Sequence, residues 1–199
     1  ERRVQRSEKM YSPSGEGASC LFQDGSLCEK EHEICQIRKK SLVMQITYYR
    51  HKKGVLRMHS RDMEYIVGLL KNGKDAEAIL SVRRKLNMAF LARTTDLSGK
   101  LPVLAFGSTF KKNGDGIQLR RYNGYVLLEV NGLESQSEAE AVRREAAALP
   151  QTLLAFVGLS GRSVKIVVPF VLPDGSLPKN EEQARMFHAA TYQLAVRHY

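Results

Sequence analysis

The sequence predicts an α+β domain: a mixed or antiparallel sheet of short strands with helices packed on one face, behind a polar N-terminal extension. Three observations lead there. Residues 122–170 read as β-α-β, with apolar runs at 125–130 and 152–157 flanking an alanine-rich stretch that Ser137-Glu-Ala-Glu140 opens as a capping box and Pro150 stops. Elsewhere apolar runs meet at short Gly, Asn and Asp turns, with helical stretches between them. Finally, 199 residues of which 43% are hydrophobic and 26% charged suffice for one buried core.

In chain order, residues 1–40 form the extension, turn-rich at Ser12-Pro-Ser-Gly-Glu-Gly17 and then charged, and residues 41–199 form the domain. Alternation predicts a strand at 42–49, a basic turn at His51-Lys-Lys-Gly54 and a second strand at 54–58. A helix opened by Ser60 closes at Asn72-Gly73, and a second helix covers about 75–89. Residues 100–110 read as one strand, and Lys112-Asn-Gly-Asp-Gly116 as a turn or hairpin tip. Strand 123–130, helix 137–149, strands 152–158 and 164–171, the turn Leu172-Pro-Asp-Gly-Ser176 and a last helix from Asn180 complete the domain. No repeat is evident.

No apolar run approaches the roughly 20 residues that span a bilayer, and Glu-Arg-Arg-Val-Gln-Arg leads into no signal-peptide core, so a cytoplasmic protein without a membrane partner is expected. The start without Met marks the chain as an expected piece of a longer protein. A net charge of +10 favours a polyanionic partner, with a merely basic solvated surface as the plain alternative.

That charge is concentrated. Between Gln36 and Arg61 stand eight cations, Arg38, Lys39, Lys40, Arg50, Lys52, Lys53, Arg57 and Arg61, with no Asp or Glu. Tyr48 and Tyr49 interleave them, giving a candidate strip for nucleic-acid phosphates with rings for stacking. The competing reading is an ordinary strand whose tyrosines pack half-buried. Further basic groups at Arg83-Arg-Lys85, Lys111-Lys112 and Arg120-Arg121 suggest a groove lined from several segments.

Cys20, Cys28, His32 and Cys35 offer four soft ligands within sixteen residues. Their spacing lacks a Cys-x2-Cys knuckle and puts the last three at helical intervals, so a structural zinc is not expected. The odd number of cysteines argues against a disulfide framework.

Two further spots carry candidate chemistry. Alternation projects Glu129 and Asn131 from one face of a strand, where two oxygen ligands can hold a hard cation. The turn Ser160-Gly-Arg-Ser163 lies between two apolar strands, so its N–H groups can approach a phosphate beside Arg162 and Lys165; a plain hairpin turn is the alternative.

Several blocks together carry a resemblance: Lys100-Leu-Pro with Gly107-Ser-Thr-Phe110, Asn123-Gly-Tyr-Val-Leu-Leu-Glu-Val-Asn-Gly-Leu133, Ala155-Phe-Val-Gly-Leu-Ser-Gly-Arg-Ser-Val-Lys-Ile-Val-Val-Pro169, and the final amphipathic helix. Over about residues 42–199 the chain resembles the VirE-associated N-terminal domain of bacterial mobile-element proteins, which is similar to a branch of the archaeo-eukaryotic primase superfamily. The resemblance implies a primase-like (RRM-like) sheet, DNA as partner, and a helicase or ATPase segment downstream. The family's Asp-x-Asp falls on Glu129-Val130-Asn131, where it would bind divalent ions. Its Ser-x-Ser-Gly-x-Gly-x-Lys falls on residues 158–165, so Ser160, Gly161, Arg162, Ser163 and Lys165 would face a triphosphate.

Both motifs depart from the pattern. Asn131 removes a formal charge, Glu129 reaches one methylene further, and Ser163 stands where the pattern has glycine, so at most weak Mg²⁺ binding is expected. The third acid of such sites would fall beyond Tyr199. The leading expectation is a nucleic-acid-binding domain with a decayed catalytic centre. An active Mg²⁺-dependent primase or nucleotidyltransferase and a protein-interaction scaffold remain as alternatives.

Overall fold

The computed structural model describes residues 45–52, 55–73, 75–88, 101–114 and 116–199. The extension, with Cys20, Cys28, His32, Cys35, Arg38, Lys39 and Lys40, lies outside the described residues, as does Lys53.

Strand β1 (Gln45–Lys52) pairs antiparallel with β2 (Val55–Asp62), from Gln45↔Asp62 to Lys52↔Val55, and by its other edge with the short β3 (Val103–Ala105). Strand β2 runs past Ser60, so helix α1 (Met63–Asn72) opens two residues later than the sequence suggests. Asp62 caps it, accepting the Tyr65 N–H at 2.7 Å, and Gly73 closes it in a positive-φ conformation. Met63 and Ile66, both fully buried, carry α1 onto Ile46 and Tyr48 of β1. Helix α2 (Ala76–Met88) follows.

The run at 100–110 is not one strand. It breaks at Phe106-Gly107, where Gly107 O accepts the Asn123 N–H at 2.8 Å and the Asn123 amide donates to Phe106 O at 3.0 Å and to Gln45 O at 2.9 Å. After the break, β4 (Ser108–Asn113) forms a separate hairpin with β5 (Gly116–Tyr122). The hairpin is tied to β1 by Phe110 N–H donating to Thr47 Oγ1 at 2.9 Å.

The second half is a split β-α-β. Strand β6 (Tyr125–Val130), helix α3 (Gln136–Ala148), strands β7 (Leu154–Val157) and β8 (Val164–Pro169) and helix α4 (Glu181–His198) follow in order. Strand β8 pairs antiparallel with both others, so β6 and β7 run parallel with β8 between them. Every described strand pairing is antiparallel, distributed over three small sheets. Period-2 alternation then divides the side chains. Val126, Leu128, Val164, Ile166 and Val168 meet α3 and α4 through Ala139, Ala146 and Ala195, whose small side chains allow close approach. Tyr125 and Val167 point the other way, into the cluster of Ile46, Tyr48, Met63, Ile66 and Phe106. The helices thus cover one face of this sheet and the β1 layer covers the other. Each fully buried Val or Ile contributes about 1.5–3 kcal/mol.

The cap of α3 sits two residues before the predicted capping box. Ser135 Oγ accepts the Glu138 N–H at 3.1 Å, while the Glu138 carboxylate accepts the Glu134 N–H at 2.8 Å. No helix among the described residues is long and apolar enough to cross a membrane.

At the base of the hairpin the Tyr122 hydroxyl lies 3.1 Å from His188 Nδ1 of α4. Burial pushes Tyr122 up to about 12 and holds the His188 imidazole below the ordinary histidine value. The unfolded chain therefore binds a proton at His188 more readily than the folded one, so this contribution to stability is complete above about pH 6.5 and is lost as pH falls through the depressed folded value. Urea midpoints measured from neutral to mildly acid pH should fall, and fall less in His188→Gln; identical slopes would remove His188 as the cause.

Candidate anion-binding site

The polar turn between β7 and β8 is built on two glycines. Gly158 N–H donates to Ser163 O at 2.8 Å and Gly161 N–H to Gly158 O at 3.1 Å. Gly161 takes φ 75°, the left-handed region that disfavours other residues. A Cβ on Gly158 would stand 2.1 Å from Ser163 Oγ. Ser163 is buried, and its hydroxyl occupies the space that Gly158 leaves open. Ser160 Oγ accepts the Arg162 N–H at 3.1 Å, and Arg162 O accepts the Leu133 N–H at 3.2 Å, which pins the turn to the approach to α3.

A residue far away in sequence completes the site. Arg83, on α2, donates from Nη2 to Gly158 O at 3.2 Å and from Nε to Leu159 O at 3.3 Å. These bonds orient the guanidinium and leave other N–H groups of its fork for a ligand. A cavity of about 320 Å³ opens here, lined by Arg83, Ser160, Gly161 and Arg162 on one side and by Glu134, Ser135 and Gln136 at the start of α3 on the other. Two arginines, two serines and the capped start of a 13-residue helix thus border it. Glu134 is its one acid and favours a ligand that also carries a hydrogen-bond donor. The sequence presents Arg83 only as part of a basic triplet.

The other predicted site residues lie elsewhere. Glu129 and Lys165 face each other across β6 and β8, their side chains 2.8 Å apart in an ion pair. A candidate metal ligand and a candidate phosphate ligand thus bind one another. Asn131 lies beyond Val130, the last ladder residue, so strand alternation does not fix it beside Glu129. Among the described residues no group of three or more His, Cys, Asp or Glu could hold a metal ion.

In the basic strip, Tyr48 is buried at 7% exposure and packs in the core, offering no open ring face. Tyr49 is half-buried, and burial raises its hydroxyl above the usual tyrosine value. Arg50 is engaged by Asp75 at 2.6 Å, which offsets the like charge of Arg57 directly across the ladder. Arg57 is exposed, and Lys52 ends β1. Arg61 lies over the Tyr65 ring at 5.3 Å. Lys111, Lys112, Arg120 and Arg121 are all exposed on the β4–β5 hairpin. Among the described residues the pocket is lined by Arg83 and Arg162 and by none of the hairpin cations.

An antiparallel framework with a basic hairpin and an arginine-lined pocket defines an α+β domain. The chain belongs to the BT4734-like, N-terminal domain family, whose model matches residues 96–199, more than half of its length. That match begins after α2, so Arg83 lies outside it while the 158–163 turn lies within. No curated protein and no solved structure matches the chain.

Proposed function

We propose that this chain is a nucleic-acid-binding domain of a bacterial mobile-element replication or mobilisation protein, acting on DNA in the cytoplasm beside a helicase or ATPase segment. In this reading it holds a phosphate in the Arg83–Arg162 pocket and performs no nucleotidyl transfer. The observation that carries the reading is the convergence of Arg83, Arg162, Ser160 and the start of α3 on one cavity at a glycine-built turn. The net charge of +10 supports a polyanionic ligand. The order β-α-β-β-α from β6 to α4 agrees with the first five elements of a β-α-β-β-α-β unit and supports the RRM-like, primase-like part of the resemblance. Against catalysis stands the Glu129–Lys165 pair, which neutralises the carboxylate that a divalent ion would need.

Fluorescence titration with labelled DNA tests this directly. Arg162→Ala is expected to weaken binding by about 10-fold, the usual contribution of one charge-assisted hydrogen bond. Arg83→Ala should weaken it further, because the turn carbonyls lose their donor as well. Adding Mg²⁺ should not strengthen binding, and no primer should be extended. Unchanged affinity in both variants would remove the pocket from the function, and Mg²⁺-dependent nucleotide incorporation lost on Glu129→Ala would establish the catalytic alternative.

A further inference from the structure

We infer that the β4–β5 hairpin is a duplex-binding arm: a two-stranded ribbon that enters the major groove of B-form DNA with the face carrying Lys111, Gln118 and Arg121. The inference rests on the nucleic-acid-binding reading and adds which surface meets the duplex and in what form. Cross-strand register assigns the faces. Lys111 stands opposite Gln118 and Thr109 opposite Arg121, whereas Phe110 opposite Leu119 and Lys112 opposite Ile117 alternate to the other side. The register shifts between Thr109 and Phe110, which makes Arg120 the extra residue of a bulge beside Arg121 and increases the local twist of the ribbon. Lys111, Gln118, Arg120 and Arg121 are all exposed, and no Asp or Glu occurs in either strand. Asp115, at the tip, lies outside the described residues.

Shape and chemistry select the duplex over a single strand. Proteins that bind single strands present aromatic rings on which bases stack. This face has none, since Tyr122 at its base is buried and Phe110 points to the opposite side. A two-stranded ribbon does fit a major groove about 12 Å wide, and at about 3.4 Å per residue these strands extend roughly 20 Å. The major groove of A-form RNA is too deep and narrow for side chains to read. The ribbon is also held firmly at its root, by Phe110 N–H on Thr47 Oγ1 and by Asn123 N–H on Gly107 O, so its orientation is fixed before DNA is met.

The test is a salt-dependent anisotropy titration of the full chain with a labelled DNA duplex and the matching single strand. The triple variant Lys111→Ala/Arg120→Ala/Arg121→Ala should bind the duplex about 100-fold more weakly at ~0.1 M salt, with a log K against log salt slope shallower by about 2.7, at 0.9 per lost phosphate contact. Single-strand affinity should change far less. Gln118→Ala should leave the slope unaltered and reduce discrimination between duplex sequences. An unchanged melting temperature excludes misfolding, and Lys111→Arg/Arg121→Lys should restore the slope. If the wild-type chain binds duplex DNA and the triple variant binds it equally well, the arm is refuted while the nucleic-acid reading stands. Equal losses on both forms overturn the duplex assignment, and a wild-type chain that binds neither form overturns the reading beneath it.

Discussion

Asn123→Asp should destabilise the chain by about 4 kcal/mol, although it changes a single NH₂ to oxygen. Asn123 is 2% exposed and its amide nitrogen donates to two carbonyls, Gln45 O and Phe106 O. The substitution turns both donors into acceptors, so a buried carboxylate would face two carbonyl oxygens. The side chain's own Oδ1 has no hydrogen-bond partner among the described residues, so the site has no spare donor for a second oxygen. The sign of the pH effect follows. The new carboxyl would titrate above its unfolded value, so the variant should regain stability as pH falls and lose it as pH rises through that raised value. Urea unfolding at neutral and acid pH measures this; a variant as stable as wild type at neutral pH would mean that Asn123 does not hold β1 to the Phe106-Gly107 break.

Gly124→Ala should cost about 3–5 kcal/mol. Gly124 has φ 71°, and a Cβ there would meet Phe170 O at 2.4 Å and Leu177 Cδ2 at 2.6 Å. The leucine can turn away, but the Phe170 backbone cannot, because Phe170 N–H donates to Gly124 O at 2.7 Å. Conformational strain of about 1–2 kcal/mol therefore adds to a clash of similar or larger size. Gly132 supplies the control: it has φ 77° with nothing within 4 Å of a built Cβ. Gly132→Ala should cost only about 1 kcal/mol. Chemical denaturation of both variants checks the difference, and equal losses would show that the Phe170 contact is not decisive.

What the sequence discloses is mostly what short-range patterns encode. Strands β6, β7 and β8 and helices α3 and α4 follow from alternation, alanine content, Pro150 and Asn180, so they appear within a few residues of their predicted positions. Strand β5 has no such signature, because Gly-Ile-Gln-Leu-Arg-Arg-Tyr is mostly exposed and contributes little to the core. The break between β3 and β4 is set by Asn123, far along the chain. The same holds for the site. The polar turn is visible as Ser160-Gly-Arg-Ser163, but Arg83 reaches it from 75 residues away, and Asp75 engages Arg50 across 25. Tyr48 and Tyr49 are adjacent in sequence and directly precede Arg50, yet which ring is buried depends on the layer that packs beneath β1. The Glu129–Lys165 pair likewise needs the β6–β8 register, which no local motif specifies.

The placement of β8 between β6 and β7 has a consequence for how the chain comes off the ribosome. The central strand of that sheet is the last of the three to be made, so β6, α3 and β7 emerge with no ladder partner and with apolar faces uncovered. Nothing in this half can zip up hairpin by hairpin from its N-terminal end, because its first two strands do not pair with each other. Only when residues 164–169 arrive do both edges find backbone partners at once, and α4 then closes over the β6 side. During that interval the nascent segment exposes unpaired strand edges of the kind that chaperones hold.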